Sequence, residues 1–181
     1  MRNKNIHGLL LAAIFASVIS VLAQISVPIG PVPVTLQTLG VGLTASLLGK
    51  KWGTISATIY LLLGLFLPVY ANGGVGVSSL FGATGGFLFS FILMAFIVGF
   101  LTEKHHHSII RFVLSNILGS LILLTIGTIW LKLFTGMSWT VAFWAGAGVF
   151  IPIEIGKAIL SSFVAISVKK ALPARFLLQN K

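Results

Sequence analysis

Residues 80–101 read LFGATGGFLFSFILMAFIVGFL, with no Asp, Glu, Lys, Arg or His among them. About 20 apolar residues in a helix cross the ~30 Å hydrocarbon core of a bilayer, so this stretch predicts a membrane-spanning helix. Outward from it the pattern repeats. Ile6–Val27, Val34–Gly49, Thr54–Val69, Ile109–Phe134 and Trp139–Val168 are further apolar runs. Between them lie chain breakers: Pro28, Gly30, Pro31 and Pro33 after the first, Gly49-Lys50-Lys51 after the second, and Pro68 with Asn72-Gly73-Gly74 after the third. The expected fold is all-α, a polytopic membrane protein with six transmembrane helices in one bundle, residues 1–181 forming a single integral membrane domain. The second and third runs are short, which predicts tilt or shielding by neighbours. The last is long, and Gly146, Gly148 and Pro152 mark a loop or half-helix near its start.

The composition agrees. Of 181 residues, 57% are hydrophobic and only 8% charged, with a mean hydropathy of +1.09. Soluble domains carry roughly 25% charged residues. Disorder, nucleic-acid binding and ordinary cytosolic enzymology are thereby disfavoured. With no Cys in the chain, disulfides, thiolate metal sites and a Cys nucleophile are excluded. The basic start, Met1 to Lys4, resembles a signal peptide, but the apolar run that follows to Ile29 is too long for one and lacks an A-x-A cleavage pattern. It is read as the first retained span.

The net charge of +10 is topogenic. With the N-terminus in the cytoplasm, Arg2, Lys4, Lys50, Lys51, Lys104, Arg111, Lys169, Lys170, Arg175 and Lys181 all fall inside, ten of the twelve basic residues. Lys132 falls at an external connection and Lys157 within a span. Both termini are expected in the cytoplasm.

Several chemistries fail on inspection. Gly49-Lys50-Lys51 lacks the upstream Gly and the following Ser/Thr of a phosphate loop. Gly40-x-Gly42-x-x-Ala45 has the spacing of a dinucleotide fingerprint but lies inside an apolar run with no acid about 20 residues on; small residues packing two helices explain it better. His105-His106-His107 reads as a solvated basic loop rather than a metal site, since Glu103 is the only acid nearby. Paired carboxylates, a zinc-binding helix and a nucleophile–base pair are all missing from the sequence, so no catalytic residue, metal or cofactor is expected.

Glu154 and Lys157 stand apart. Both lie in the apolar stretch Val149–Val168, three residues apart and hence on one helical face. A charge at the membrane centre costs at least ~2.5–3.5 kcal/mol. Such a pair is either a structural ion pair or a substrate-binding pair facing a cavity. Two more polar elements fall on the same external side. One is the glycine-rich loop with Tyr70, Asn72, Gly73, Gly74, Gly76, Ser78 and Ser79, continuing into Gly82-Ala83-Thr84-Gly85-Gly86. The other is Pro31-Val32-Pro33-Val34-Thr35-Leu36-Gln37-Thr38. Their convergence opposite a merely basic face suggests capture of a small solute from outside. In the first run, Ala12, Ala16 and Ser20 form a stripe of small residues four apart; it serves either packing within the bundle or docking to another membrane subunit.

Four motifs in order carry a resemblance: Pro31-Val-Pro-Val-Thr-Leu-Gln37-Thr-Leu-Gly40, Tyr60-Leu-Leu-Leu-Gly64-Leu-Phe-Leu-Pro68-Val, Gly82-Ala-Thr-Gly-Gly-Phe87-Leu, and Ile151-Pro-Ile-Glu154-Ile-Gly-Lys157. Over nearly its whole length the chain resembles the BioY family, the biotin-specific S components of energy-coupling factor (ECF) transporters. The resemblance implies a six-helix bundle in a prokaryotic cell membrane that captures biotin at its external side. It implies as partners a transmembrane coupling subunit and two ATP-binding subunits, and it assigns Ala12 and Ala16 to docking on the coupling subunit. The alternative function is a self-sufficient carrier for biotin or a related vitamin. The expected substrate site comprises Gln37, Tyr70, Asn72, Gly74, Thr84, Phe87, Glu154 and Lys157. Within it Glu154 would accept a ureido N–H, Asn72 and Lys157 would donate to ureido or neighbouring polar atoms, Lys157 would also neutralise Glu154, and Phe87 and Tyr70 would cover the apolar ring. The family usually carries Asp where Glu154 stands and Tyr where Phe87 stands.

Overall fold

The computed structural model of the chain describes residues 2–104 and 108–171, with side chains from residue 5 onward. The histidine cluster His105–His107 and the tail residues Arg175 and Lys181 lie outside the described residues, as do the side chains of Arg2 and Lys4. Helices make up most of what is described. They are α1 (Arg2–Gln24), α2 (Gln37–Leu63), α3 (Gly76–Leu80), α4 (Gly85–Thr102), α5 (Ile109–Thr135), α6 (Trp139–Phe143) and α7 (Phe150–Ala171). A two-stranded antiparallel hairpin, β1 (Ser26–Val27) with β2 (Val34–Thr35), joins α1 to α2, pairing Ser26 with Thr35.

Among the described residues, four segments are long and apolar enough to cross a membrane: Asn5–Gln24, Gly85–Thr102, Ile109–Thr135 and Trp139–Ala171. α2 is not among them, and it covers ground the sequence reading divided into two runs. Its backbone breaks at Gly49, which has φ 74° and ψ −175°. In an unbroken helix, residues eight apart are separated by about 12 Å. A Cβ placed on Gly53 would instead lie 2.9 Å from the Cα of Ala45, so the two arms of α2 fold back against each other. The left-handed φ at Gly49 is one that residues with a Cβ adopt only at a cost.

The last run also divides as its glycines suggest. α6 passes into a π-helical turn, Trp144–Gly148, before α7 begins. Pro152 falls in the first turn of α7, where a missing N–H breaks no helical hydrogen bond.

Small residues set the helix contacts. α4 packs on α5 where a Cβ on Gly119 would meet Val98 and Met94, and where one on Gly86 would meet the Trp130 side chain. α1 packs on α2. Ala12 and Ala16, expected to dock on a coupling subunit, are both 0% exposed in this chain, as are Ile19 and Ala23 on the same face. Their lack of a bulky side chain is used internally, to bring α1 close to α2. The small residues that α1 leaves on the surface are Ala13 and Ser17.

The exterior is apolar and the interior partly polar. Leu10, Ile14 and Val21 on α1, Phe100 on α4, Leu114 and Leu118 on α5, and Phe163 on α7 are exposed. Thr44, Ser46, Ser56, Asn116, Ser161 and Ser162 are buried. Lipid tails are as apolar as the side chains facing them, so such a protein gains stability from close packing and interior hydrogen bonds.

Candidate ligand-binding site

Toward one end of the helices, β2, the start of α2, the 70–84 segment, the starts of α4 and α7 and the middle of α5 line a cavity of about 350 Å3. That size falls within the ~300–1,000 Å3 of small-molecule sites. Its apolar wall is formed by Phe87, Leu88, Phe91, Leu123, Leu124 and Phe150. Phe87 owes its place to Gly127, since a Cβ there would lie 2.2 Å from the Phe87 ring.

The floor is a closed electrostatic unit. Glu154 and Lys157, one turn apart on α7, are 4% and 7% exposed and form an ion pair through Glu154 Oε1. Lys157 Nζ also donates to the Thr35 carbonyl at 2.9 Å and to Thr38 Oγ1 at 2.7 Å. Thr38 in turn donates to Glu154 Oε1 at 3.0 Å. From behind, on α5, Ser120 Oγ donates to Glu154 Oε2 at 3.2 Å. An ammonium has three N–H groups and a carboxylate about four lone-pair positions. All three of the former are engaged. Oε1 is filled, while Oε2 keeps one position for a further donor. In this arrangement Lys157 is engaged with Glu154, Thr38 and Thr35, and Glu154 Oε2 keeps an acceptor position.

Beside this unit, the Gln37 side-chain oxygen accepts from Thr35 Oγ1 at 2.8 Å, and its amide nitrogen donates to the Tyr60 hydroxyl. Tyr60 meets Tyr70 edge-on, with ring centroids 5.8 Å apart. Tyr70 packs over Gly64, where a Cβ would lie 2.1 Å from its ring, and donates its hydroxyl to the Leu61 carbonyl at 2.6 Å. Burial pushes the Tyr70 phenol above its usual pKa.

The rim is exposed and neutral. Asn72 adopts a left-handed backbone, φ 56°, and accepts a hydrogen bond from Ser26 Oγ in β1. Gln24, at the end of α1, donates to the Tyr70 carbonyl at 3.1 Å. Trp130 Nε1 on α5 donates to the Gly82 carbonyl at 2.9 Å, tying down the turn that leads to Thr84 and α4.

All eight residues expected at the site, Gln37, Tyr70, Asn72, Gly74, Thr84, Phe87, Glu154 and Lys157, line this one cavity. Sequence reasoning missed Ser120; it noted Thr38 with Gln37 as polar residues near the start of a span, without placing Thr38 in the site, and named Thr35 only as part of the same segment. Thr38 could have been weighted more, since it lies one residue from Gln37 at the start of a span.

The fold and the cavity together define a membrane-embedded helical protein with a cavity of small-molecule size among its helices. The model of the BioY family matches residues 1–174. The chain is 40% identical over 173 residues to "Biotin transporter BioY2" of Lactococcus lactis subsp. cremoris, covering 95% of each chain. It is 40% identical to "Biotin transporter BioY" of Thermotoga maritima over 90% of this chain and 95% of that one. Among solved structures, a crystal structure titled as the S-component for biotin from an ECF-type ABC transporter superposes with a TM-score of 0.88. It is 28% identical, and the match covers 98% of both chains. The chain belongs to the BioY family. It is thus a membrane transport protein and not an enzyme.

Proposed function

We propose that this chain is the biotin-binding substrate-capture subunit of an ECF-type uptake transporter, taking biotin into the cavity from the external side. The observation that carries the reading is the floor: a buried, neutralised carboxylate with one acceptor position open toward an apolar-walled cavity. Biotin presents a ureido ring with two N–H donors and a carbonyl, an apolar thioether ring and a carboxylate tail. In this reading a ureido N–H donates to Glu154 Oε2, and the thioether ring lies against Phe87 and Phe91. Gln37, whose amide keeps one N–H uncommitted, faces the ureido carbonyl. Asn72, Gly74 and Thr84 border the tail. Tyr70 backs the aromatic wall, and Lys157 holds Glu154 charged and oriented.

The distribution of charge supports this orientation. Lys50 at the bend of α2 lies 4.0 Å from Glu103 at the end of α4. Lys169 at the end of α7 lies over Phe112 at the start of α5, 4.6 Å from its ring centroid. These basic residues share the end of the molecule opposite the cavity, and positive ends face the cytoplasm. With the two arms of α2 counted separately, the bundle has six helices and both termini are cytoplasmic. The names of the relatives support biotin as ligand. The structural likeness to an ECF S-component supports partnership with a transmembrane coupling subunit and two ATP-binding subunits.

The test is a calorimetric titration of biotin into the full chain in detergent, with riboflavin and thiamine as controls. Selective binding near one biotin per chain is expected. A folded sample that ignores biotin would sink the proposal.

A further inference from the structure

The two ends of the cavity differ in what they can recognise. Among the described residues, Lys157 is the only cation in the lining, and its three N–H groups are all engaged by Glu154, Thr38 and Thr35. A carboxylate placed at the floor would therefore meet Glu154, a like charge, with no free cation to offset it. The rim is built from Asn72, Ser78, Ser79 and Thr84, of which Asn72 and Ser78 are exposed. These are neutral groups, and hydroxyls and amides both donate and accept. They serve a carboxamide as well as a carboxylate, and water reaches the same place.

We propose that the site reads the ring system of its ligand and is indifferent to the charge of its tail, so that neutral amides of biotin are ligands alongside the free acid. This rests on the biotin reading above. A site that selected the acid would need a cation or a cluster of N–H donors at the rim, because charge-assisted hydrogen bonds are roughly twice as strong as neutral ones. Removing the charge from such a contact lowers affinity by tenfold or more.

The experiment titrates biotin and biotinamide, its primary carboxamide, into the same preparation of the full chain in detergent. Dissociation constants within tenfold of each other are expected. If biotin binds and the amide is weaker by tenfold or more, the rim does read charge; the proposal falls while the biotin assignment stands. If neither binds a sample that still unfolds cooperatively on heating, the biotin assignment falls and this proposal with it. A second variant reads the rim directly. Ser78→Arg places a cation where the tail is argued to end, and it should shift the ratio of affinities toward the acid by about threefold or more. An unchanged ratio would mean that the tail ends elsewhere, which overturns the argument.

Discussion

Lys157 shows why a buried charge is better understood by counting its protons than by its sign. All three face protein acceptors, so removing the side chain leaves Glu154 buried without its counter-ion. Breaking a buried ion pair from one side costs about 3–5 kcal/mol. Lys157→Ala should accordingly lower the thermal stability of the detergent-solubilised protein and weaken biotin binding at least tenfold. Glu154→Gln keeps the size of the acceptor but turns half of it into a donor. It should also weaken binding at least tenfold, with a smaller loss of stability, because Gln fills the same space and its amide oxygen still accepts from Lys157. Wild-type affinity in either folded variant would remove that residue from the proposed site. Ser120→Ala should cost binding about threefold, since Glu154 loses an aiming hydrogen bond but keeps its charge. Glu154 and Lys157 were legible in the sequence because charge inside an apolar run is costly and hence rarely idle. Ser120 was not. Hydroxyls along these helices commonly donate to the carbonyl four residues back, as Ser90, Ser115 and Thr125 do, and nothing in the local sequence marks the one that turns inward.

At the scale of the element, α1 shows the limit of reading a stripe. Ala12 and Ala16 have the spacing of a contact face, and they do form one, but against α2. Ala16→Trp would force a large ring into a closed seam, and overpacking typically costs 1–3 kcal/mol. The melting temperature in detergent should fall for Ala16→Trp and stay near wild type for Ala13→Trp, whose position is exposed. Equal stability of the two variants would show that α1 does not pack on α2 through this face. A helix periodicity indicates which residues share a side; which side faces a neighbour depends on what the rest of the chain brings there. The same holds along α5. Gly127 allows the Phe87 ring to lie flat on the helix, so Gly127→Leu should push that ring into the cavity. Biotin affinity should fall roughly tenfold with the secondary structure, followed by circular dichroism, unchanged. Unaltered affinity would place the Phe87 ring away from the ligand. In α2 the composition suggested two short runs separated by Gly49-Lys50-Lys51, and the backbone turns at Gly49 while helical hydrogen bonding resumes directly after it.

For the whole molecule, the proposed orientation is open to a direct measurement because the chain has no native Cys. In intact cells, a membrane-impermeant maleimide should label Ser78→Cys at the rim of the cavity and leave Lys51→Cys unlabelled until the cells are opened. The reverse pattern would invert the topology and move the cavity to the cytoplasmic side. Dependence on partners is separable from this. Uptake of labelled biotin should require co-expression of the coupling and ATP-binding subunits; uptake by this chain alone would mark it as a self-sufficient carrier. The sequence by itself determined that the protein lives in a bilayer, which residues carry its charge, and that polar groups gather toward one end. These follow from composition and from the order of apolar runs, quantities that need no knowledge of the fold. Only the tertiary structure decided that Ala12 and Ala16 face inward, that Ser120 and Thr38 complete the Glu154–Lys157 unit, and that Lys157 reaches the Thr35 carbonyl. Those facts depend on distances between residues far apart in the chain, such as Thr38 and Glu154, and no local pattern encodes which of several compatible neighbours a packed helix will meet.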